Sequence, residues 1–212
     1  MSLLMKKLIF LIYLILFSLL IVSQSYAENL FKVRWVNDGD TIVLSDGRRV
    51  RYIGINAPEV AHEDKKAEPL GDKARDFNKK LVFQKKVRLE FGRERYDQYG
   101  RLLAYVFLRS GVFANERIIG EGYAFFLPRS PNVRYNALLL RYQRKAMSAK
   151  KGIWKNWKEK ERNYIGNRRS KRFHTKTCPF GKSIDKRNRI FFSKKWDAFW
   201  AGYAPCKKCI SQ

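Results

Sequence analysis

Asp38-Gly39-Asp40-Thr41 puts two carboxylates and a hydroxyl within four residues, where an alternating segment ends. Arg51 follows, five residues ahead of Asn56 and eight ahead of Glu59, and Asp97-Gln98-Tyr99-Gly100-Arg101 supplies a second arginine further on. One acid, two arginines and a hard-cation site together suit phosphodiester hydrolysis. A carboxylate takes a proton from attacking water. Two guanidiniums grip phosphoryl oxygens bidentately and offset the charge that grows in the transition state. An oxygen-ligated cation such as Ca²⁺ adds Lewis-acid polarisation. Taken singly these residues are ordinary, since Asp-Gly-Asp turns are common and a lone arginine is more often a surface charge.

A second group lies in the tail. His174-x-x-x-Cys178 precedes Cys206-x-x-Cys209, and the chain holds three cysteines in all. Four N/S ligands with a tight final C-x-x-C form a structural zinc signature. A tail of about 40 residues has too little core of its own, and Zn²⁺ would staple it. The odd cysteine count argues against a simple disulfide framework. A Cys206–Cys209 disulfide with Cys178 free stays open beside it.

These residues need a scaffold. Phe31 to Val36 alternates in period two, Thr41 to Leu44 and Arg48 to Ile55 read as further strands, and Lys86 to Phe91 and Arg101 to Leu108 complete five. Pro58 breaks the third, because proline cannot donate to a ladder. Apolar stripes at helical spacing mark Leu70 to Phe83, Val112 to Glu121 and Arg134 to Lys151. Gly92 to Gly100 reads as a polar loop. The order predicts a mainly β fold with α: a five-stranded OB-fold barrel with three packed helices, then a small zinc-stapled α/β C-terminal domain. The expected boundaries are 28–157 for the barrel domain, 158–171 for a basic linker and 172–212 for the zinc-binding domain.

In this order the motifs Asp38-Gly-Asp40-Thr41, Arg51-Tyr-Ile-Gly-Ile-Asn56-Ala57-Pro58-Glu59, Asp97-Gln-Tyr99-Gly-Arg101-Leu-Leu-Ala-Tyr105, Asn115-Glu116 and Gly152-Ile153-Trp154 resemble the staphylococcal nuclease family over about residues 30 to 157. The resemblance implies a metal-dependent endonuclease. Arg51, Glu59 and Arg101 would be catalytic, with Glu59 the general base and the arginines on the reacting phosphate. Asp40, Asn56 and the Ala57 carbonyl would face Ca²⁺ or another divalent cation, and Tyr99 would approach a substrate phosphate. Asn56 departs from the family's reference enzyme, which has Asp there. Losing that charge predicts weaker metal binding or a different preferred ion. Gln98 likewise replaces a basic residue.

The tail resembles the zinc-binding domain of the Ada DNA-repair methyltransferase, through ligand-x-x-x-Cys178, the Ile184…Asn188…Phe191-Phe192 segment and Ala201-Gly202-Tyr203-x-Pro205-Cys206-x-x-Cys209. In that family the first ligand is a cysteine that also accepts a methyl group. His174 stands there in this chain; it can bind zinc but cannot act as that acceptor. A structural or DNA-docking role is therefore expected.

Composition points to a polyanionic partner, nucleic acid or an anionic membrane surface, with a basic solvated face as the plain alternative. The formal charge is +26, with 45 Lys+Arg against 19 Asp+Glu, and such a chain is drawn to polyanions. Abundant aromatics alongside that charge favour DNA and/or RNA. At the N-terminus Lys6 and Lys7 precede an apolar run, Leu8 to Val22, and small residues at Ser25 and Ala27. This is the pattern of a signal peptide over 1–27, too short a run for a usual membrane span. Removing it takes away two lysines and no acid, so the basic character persists. The expectation is a periplasmic or secreted monomer with no stable membrane association after cleavage. An uncleaved anchor, and a non-catalytic nucleic-acid-binding protein that kept the nuclease fold, are the alternatives.

Overall fold

The computed structural model describes residues 5, 7, 9–13, 29–63, 66–159 and 162–210. The expected signal peptide therefore falls largely outside the described residues, although 9–13 are helical. No helix among the described residues is long and apolar enough to cross a membrane.

Strand β1 (Leu30–Asp38) departs from strict alternation. Register shifts on either side of Trp35 and Val36 put Val33 and Val36 in the core and leave Trp35 56% exposed. A bulge of this kind bends the strand and raises its twist. β2 (Thr41–Leu44) and β3 (Arg49–Tyr52) follow in antiparallel register, with Thr41 opposite Arg51. The expected third strand is split. Gly54, at a φ of +81° that favours glycine, turns the chain into the short β4 (Ile55–Asn56). β5 (Lys86–Tyr96) and β6 (Leu102–Leu108) complete a closed five-stranded barrel in the order β1-β2-β3-β6-β5.

β5 runs five residues past the predicted Phe91 into the segment read as loop. The ladder with β6 is irregular between Phe91 and Tyr96, resumes at Tyr96 opposite Leu102, and is bridged at Glu94 by a side chain. Asn132 accepts from the Glu94 N–H at 3.0 Å and donates to the Glu94 carbonyl at 2.9 Å.

Helix α1 (Gly71–Val82) buries Gly71, Ala74, Asn78 and Val82 at helical spacing. Asn78 donates to the Asp38 carbonyl at 3.1 Å and accepts from the Tyr52 hydroxyl at 3.1 Å, which locks α1 to the strand ends that carry the acids. Helix α2 (Ala114–Gly120) is tied down by Asn115, whose amide bridges the Val106 N–H and the Ile53 carbonyl. β7 (Phe125–Phe126) pairs with β4, setting Asn56 opposite Phe125. Helix α3 (Asn136–Ser148) then buries Leu139, Gln143, Ala146 and Met147.

The tail forms a second sheet in the order β10-β8-β9-β11. Its strands are β8 (Tyr164–Asn167), β9 (Arg172–Thr175), β10 (Arg189–Phe192) and β11 (Ala204–Pro205), with short helices α4 (Pro179–Lys182) and α5 (Lys195–Trp200). This corrects the expected linker of 158–171. Tyr164 to Asn167 form an internal strand between β10 and β9. The segment is too short and too basic to show a period, but Tyr164, Ile165 and Gly166 are buried.

The tail sheet shares a core with β7, helix α3 and the segment around Trp154, which pack outside the barrel strands. Phe125, Ala146, Met147 and Trp154 from the barrel side pack with Phe173, Phe199, Tyr203 and Ile210 from the tail. Buried Gln143 accepts from the Phe126 N–H and donates to the Phe199 carbonyl, both at 2.6 Å. The small tail thus borrows apolar burial from the barrel unit.

Candidate active site

The turn between β1 and β2 carries the acids. Gly39 is required there by close packing, since a Cβ at this position would lie 2.5 Å from the Ala57 Cβ and 2.8 Å from the Ala74 Cβ. The turn therefore presses against both α1 and the segment leading to Glu59. Asp40 is buried, 4% exposed. Its Oδ2 accepts the Ala57 N–H at 2.6 Å and lies 2.9 Å from Arg51 Nη2. Thr41 Oγ1 donates to Asp40 Oδ1 at 3.2 Å, and the Asp40 N–H donates to Asp38 Oδ1 at 2.8 Å.

Burial pushes the Asp40 carboxyl well above its ordinary range; Arg51 opposes this, and the Asp38 charge adds to it.

Arg51 is fixed before any ligand arrives. Nη1 donates to the Tyr52 carbonyl at 2.8 Å and the Ile55 carbonyl at 2.9 Å, and Nη2 donates to Asn56 Oδ1 at 3.0 Å. The Asn56 amide also donates to the Ala57 carbonyl at 3.3 Å. Asn56, expected as a metal ligand, thus stands among the right groups but spends its oxygen on Arg51.

Arg101 precedes β6, which runs parallel to β3, so both arginines rise from adjacent strands. Asp97 Oδ2 holds Arg101 Nε at 2.7 Å. Asp97 Oδ1 accepts the N–H groups of Tyr99 and Arg101. Burial works against the Asp97 charge, but these donors outweigh it and hold the carboxyl below its usual range. Asp97 was read only as part of the motif; the structure gives it a specific task, that of aiming Arg101. Tyr99 is 64% exposed, with the Arg101 guanidinium 5.4 Å from its ring centre.

Glu59 is exposed on the loop before α1. The loop is clamped at the backbone. The Glu59 N–H donates to Glu68 Oε2 at 2.9 Å, the Glu68 N–H donates to the Glu59 carbonyl at 2.9 Å, and Gly71 packs so closely that a Cβ would fall 2.2 Å from that carbonyl.

The ligand atoms of His174, Cys178, Cys206 and Cys209 all lie within 4.8 Å of one another. All three cysteines are free thiols, so the alternative Cys206–Cys209 disulfide is not formed. Burial, then the Arg172 charge, keeps His174 toward its neutral form, the form that ligates. Cys178 loses ground to burial, yet the Gly181 and Phe180 N–H groups and its neighbouring thiols hold it below its ordinary range. Burial pushes the Cys209 thiol up to about 11. Three thiols crowded with one imidazole suit a soft-ligand ion such as zinc.

Residues 49–156 match the family described as staphylococcal nuclease homologue, just over half of the chain. The chain belongs to this family. Among its relatives is a thermonuclease of Staphylococcus hyicus, 39% identical over 132 residues, covering 61% of this chain and 78% of that one. A thermonuclease of Staphylococcus intermedius is 39% identical over 127 residues, covering 58% and 75%. The endonuclease YncB of Bacillus subtilis (strain 168) is 36% identical over 136 residues, 62% of each chain. The staphylococcal nuclease match takes in Arg51, Asn56, Glu59, Asp97 and Arg101. It ends before β8, so the sheet that carries the Cys/His cluster is an addition to the family's matched region.

Proposed function

We propose that this chain is an exported, metal-dependent nuclease that hydrolyses phosphodiester bonds of DNA and/or RNA with low sequence specificity. The observation that carries the reading is the convergence of Asp40, Arg51 and Asn56 through contacts of 2.9–3.0 Å, inside a family whose relatives include thermonucleases and an endonuclease.

Glu59 takes the proton of the attacking water. Arg101, steadied by Asp97, grips phosphoryl oxygens with its remaining N–H groups. Four of the five Arg51 N–H groups meet Asp40, Asn56, Tyr52 and Ile55. Phosphate capture by Arg51 then uses Nε–H or exchanges the Asn56 contact. A fixed guanidinium needs no reorganisation as charge develops, which is where such sites gain most. A divalent cation such as Ca²⁺, held by Asp40 with the Ala57 carbonyl and Asn56 nearby, would supply Lewis-acid polarisation of the phosphate. With Asn56 in place of a carboxylate and its oxygen turned to Arg51, affinity for that cation is low. Tyr99 contributes from the rim. All these contacts reach phosphate rather than base edges, hence the low sequence specificity.

His174, Cys178, Cys206 and Cys209 bind Zn²⁺ in an Ada-like structural domain that adds a nucleic-acid-docking surface. Residues 1–27 act as the signal peptide, and the mature monomer works in the periplasm or outside the cell. The test is cleavage of labelled single-stranded DNA beside Glu59→Gln. The enzyme loses most turnover in this variant and keeps its affinity for DNA. A protein that binds and never cuts would contradict the reading.

A further inference from the structure

A cleft of about 770 Å³ opens between the barrel unit and the tail sheet. Apolar residues from both units line it: Pro58 and Phe125 from one side, Ile153 and Trp157 from the connecting segment, Phe199 and Ile210 from the other. Four lysines also line it, namely Lys73, Lys155, Lys158 and Lys195, and no acidic residue does. Lys195 Nζ sits 5.4 Å from the Trp157 ring centre.

The cleft adjoins the catalytic groups through the backbone. Pro58 precedes Glu59, and Phe125 is the ladder partner of Asn56. The cleft is thus built on segments that neighbour Glu59 and Asn56 in the chain and in the ladder. Phe125 and Phe199 are buried, so Trp157 is the aromatic ring the cleft presents; beside four lysines it suits single-stranded nucleic acid, whose bases stack while its phosphates meet lysine. A duplex keeps its base faces buried in its own stack. The volume lies within the range of pockets that hold one small ligand, enough for a nucleotide unit.

We propose that this cleft is a subsite for an unpaired stretch of the substrate strand, outside the bond being cut. It rests on the nuclease reading for its substrate strand, but not for its binding test. The consequence is that the appended unit adds affinity for an unpaired strand beyond what the barrel's own site supplies.

The test uses the full chain with Lys155→Glu and Lys158→Glu together. Both side chains are exposed, so folding is retained; Trp157 is avoided because it packs against Trp154 and Phe199. Lys32→Glu with Lys86→Glu, a facing pair on the barrel outside the cleft, controls for overall charge. Binding of a labelled oligothymidylate of about 12 nucleotides is measured by anisotropy without added divalent cation and without chelator, so that the tail keeps any bound zinc. Its cleavage is compared with that of a mononucleotide diester too short to enter the cleft. The expected result is Kd and KM for the long strand raised about tenfold or more, beyond the control, with a shallower salt slope, and unchanged kinetics on the short diester. Long-strand Kd equal to that of the control pair would overturn the proposal. So would equal loss on both substrates. A chain that cuts neither substrate would defeat the nuclease reading, while the anisotropy comparison would still decide the cleft.

Discussion

Arg51 Nη2 and Asp40 Oδ2 form a 2.9 Å ion pair whose side chains are 11% and 6% exposed. Removing one partner of such a pair leaves the other charge buried without compensation. Arg51→Ala is therefore expected to lose about 3–5 kcal/mol of stability as well as activity. Chemical denaturation at neutral pH measures the first. Arg51→Lys separates the two effects: charge is kept, the planar fork is lost, and activity falls further than stability.

Gly71→Ala tests the loop that carries Glu59. The new methyl group would collide with the Glu59 carbonyl, and α1 is anchored by Asn78, so the loop must yield. Misplacing a reacting group by about 1 Å costs on the order of 100-fold in rate. Turnover should fall by roughly that much while the melting temperature falls only modestly. Unchanged turnover would show that the backbone clamp does not position Glu59.

Asp97 gives a pH signature. Despite its burial, donors from Arg101 and Tyr99 hold its folded-state pKa below the unfolded value. Its stabilisation is therefore present above the unfolded carboxylate range and is lost as pH falls through the lower, folded value. Asp97→Asn should be less stable at neutral pH, with the deficit shrinking in acid. Urea midpoints across pH 2–7, with pH values of about this span set by the carboxylate range, measure it. A deficit independent of pH would contradict the assignment.

The Cys/His cluster predicts one zinc per chain by native mass spectrometry. A strong chelator should loosen the tail sheet first, because α4 and the Cys206–Cys209 turn lose their tie. His174→Cys should retain zinc, since four thiolates also form a closed structural site. His174→Ala should weaken it. Full occupancy after His174→Ala would remove His174 from the ligand set.

The barrel was legible because its signals are local. Alternation, tight turns and apolar stripes located the five strands and three helices within a few residues. Arg51 contacts both Asp40 and Asn56, and the ligand atoms of His174 lie beside those of the three cysteines. What escaped depends on partners distant in sequence. β5 continues past Phe91 through Asn132, which holds Glu94, and through the pairing of Tyr96 with Leu102, and Trp35 faces outward because β1 is bulged. Tyr164 to Asn167 read as linker because four residues cannot display a period, and their order comes from β9 and β10. The engagement of Asn56 by Arg51 was hidden for the same reason, since side-chain direction follows from packing.

The most direct measurement is a divalent-cation titration of DNA hydrolysis, single-stranded and duplex, with Ca²⁺, Mg²⁺, Mn²⁺ or chelator, beside Arg51→Ala and Asn56→Asp. The account predicts cutting that chelator abolishes and Arg51→Ala removes, with Asn56→Asp reaching half-maximal rate at a lower cation concentration. Hydrolysis that persists undiminished in chelator, or in Arg51→Ala, would contradict it.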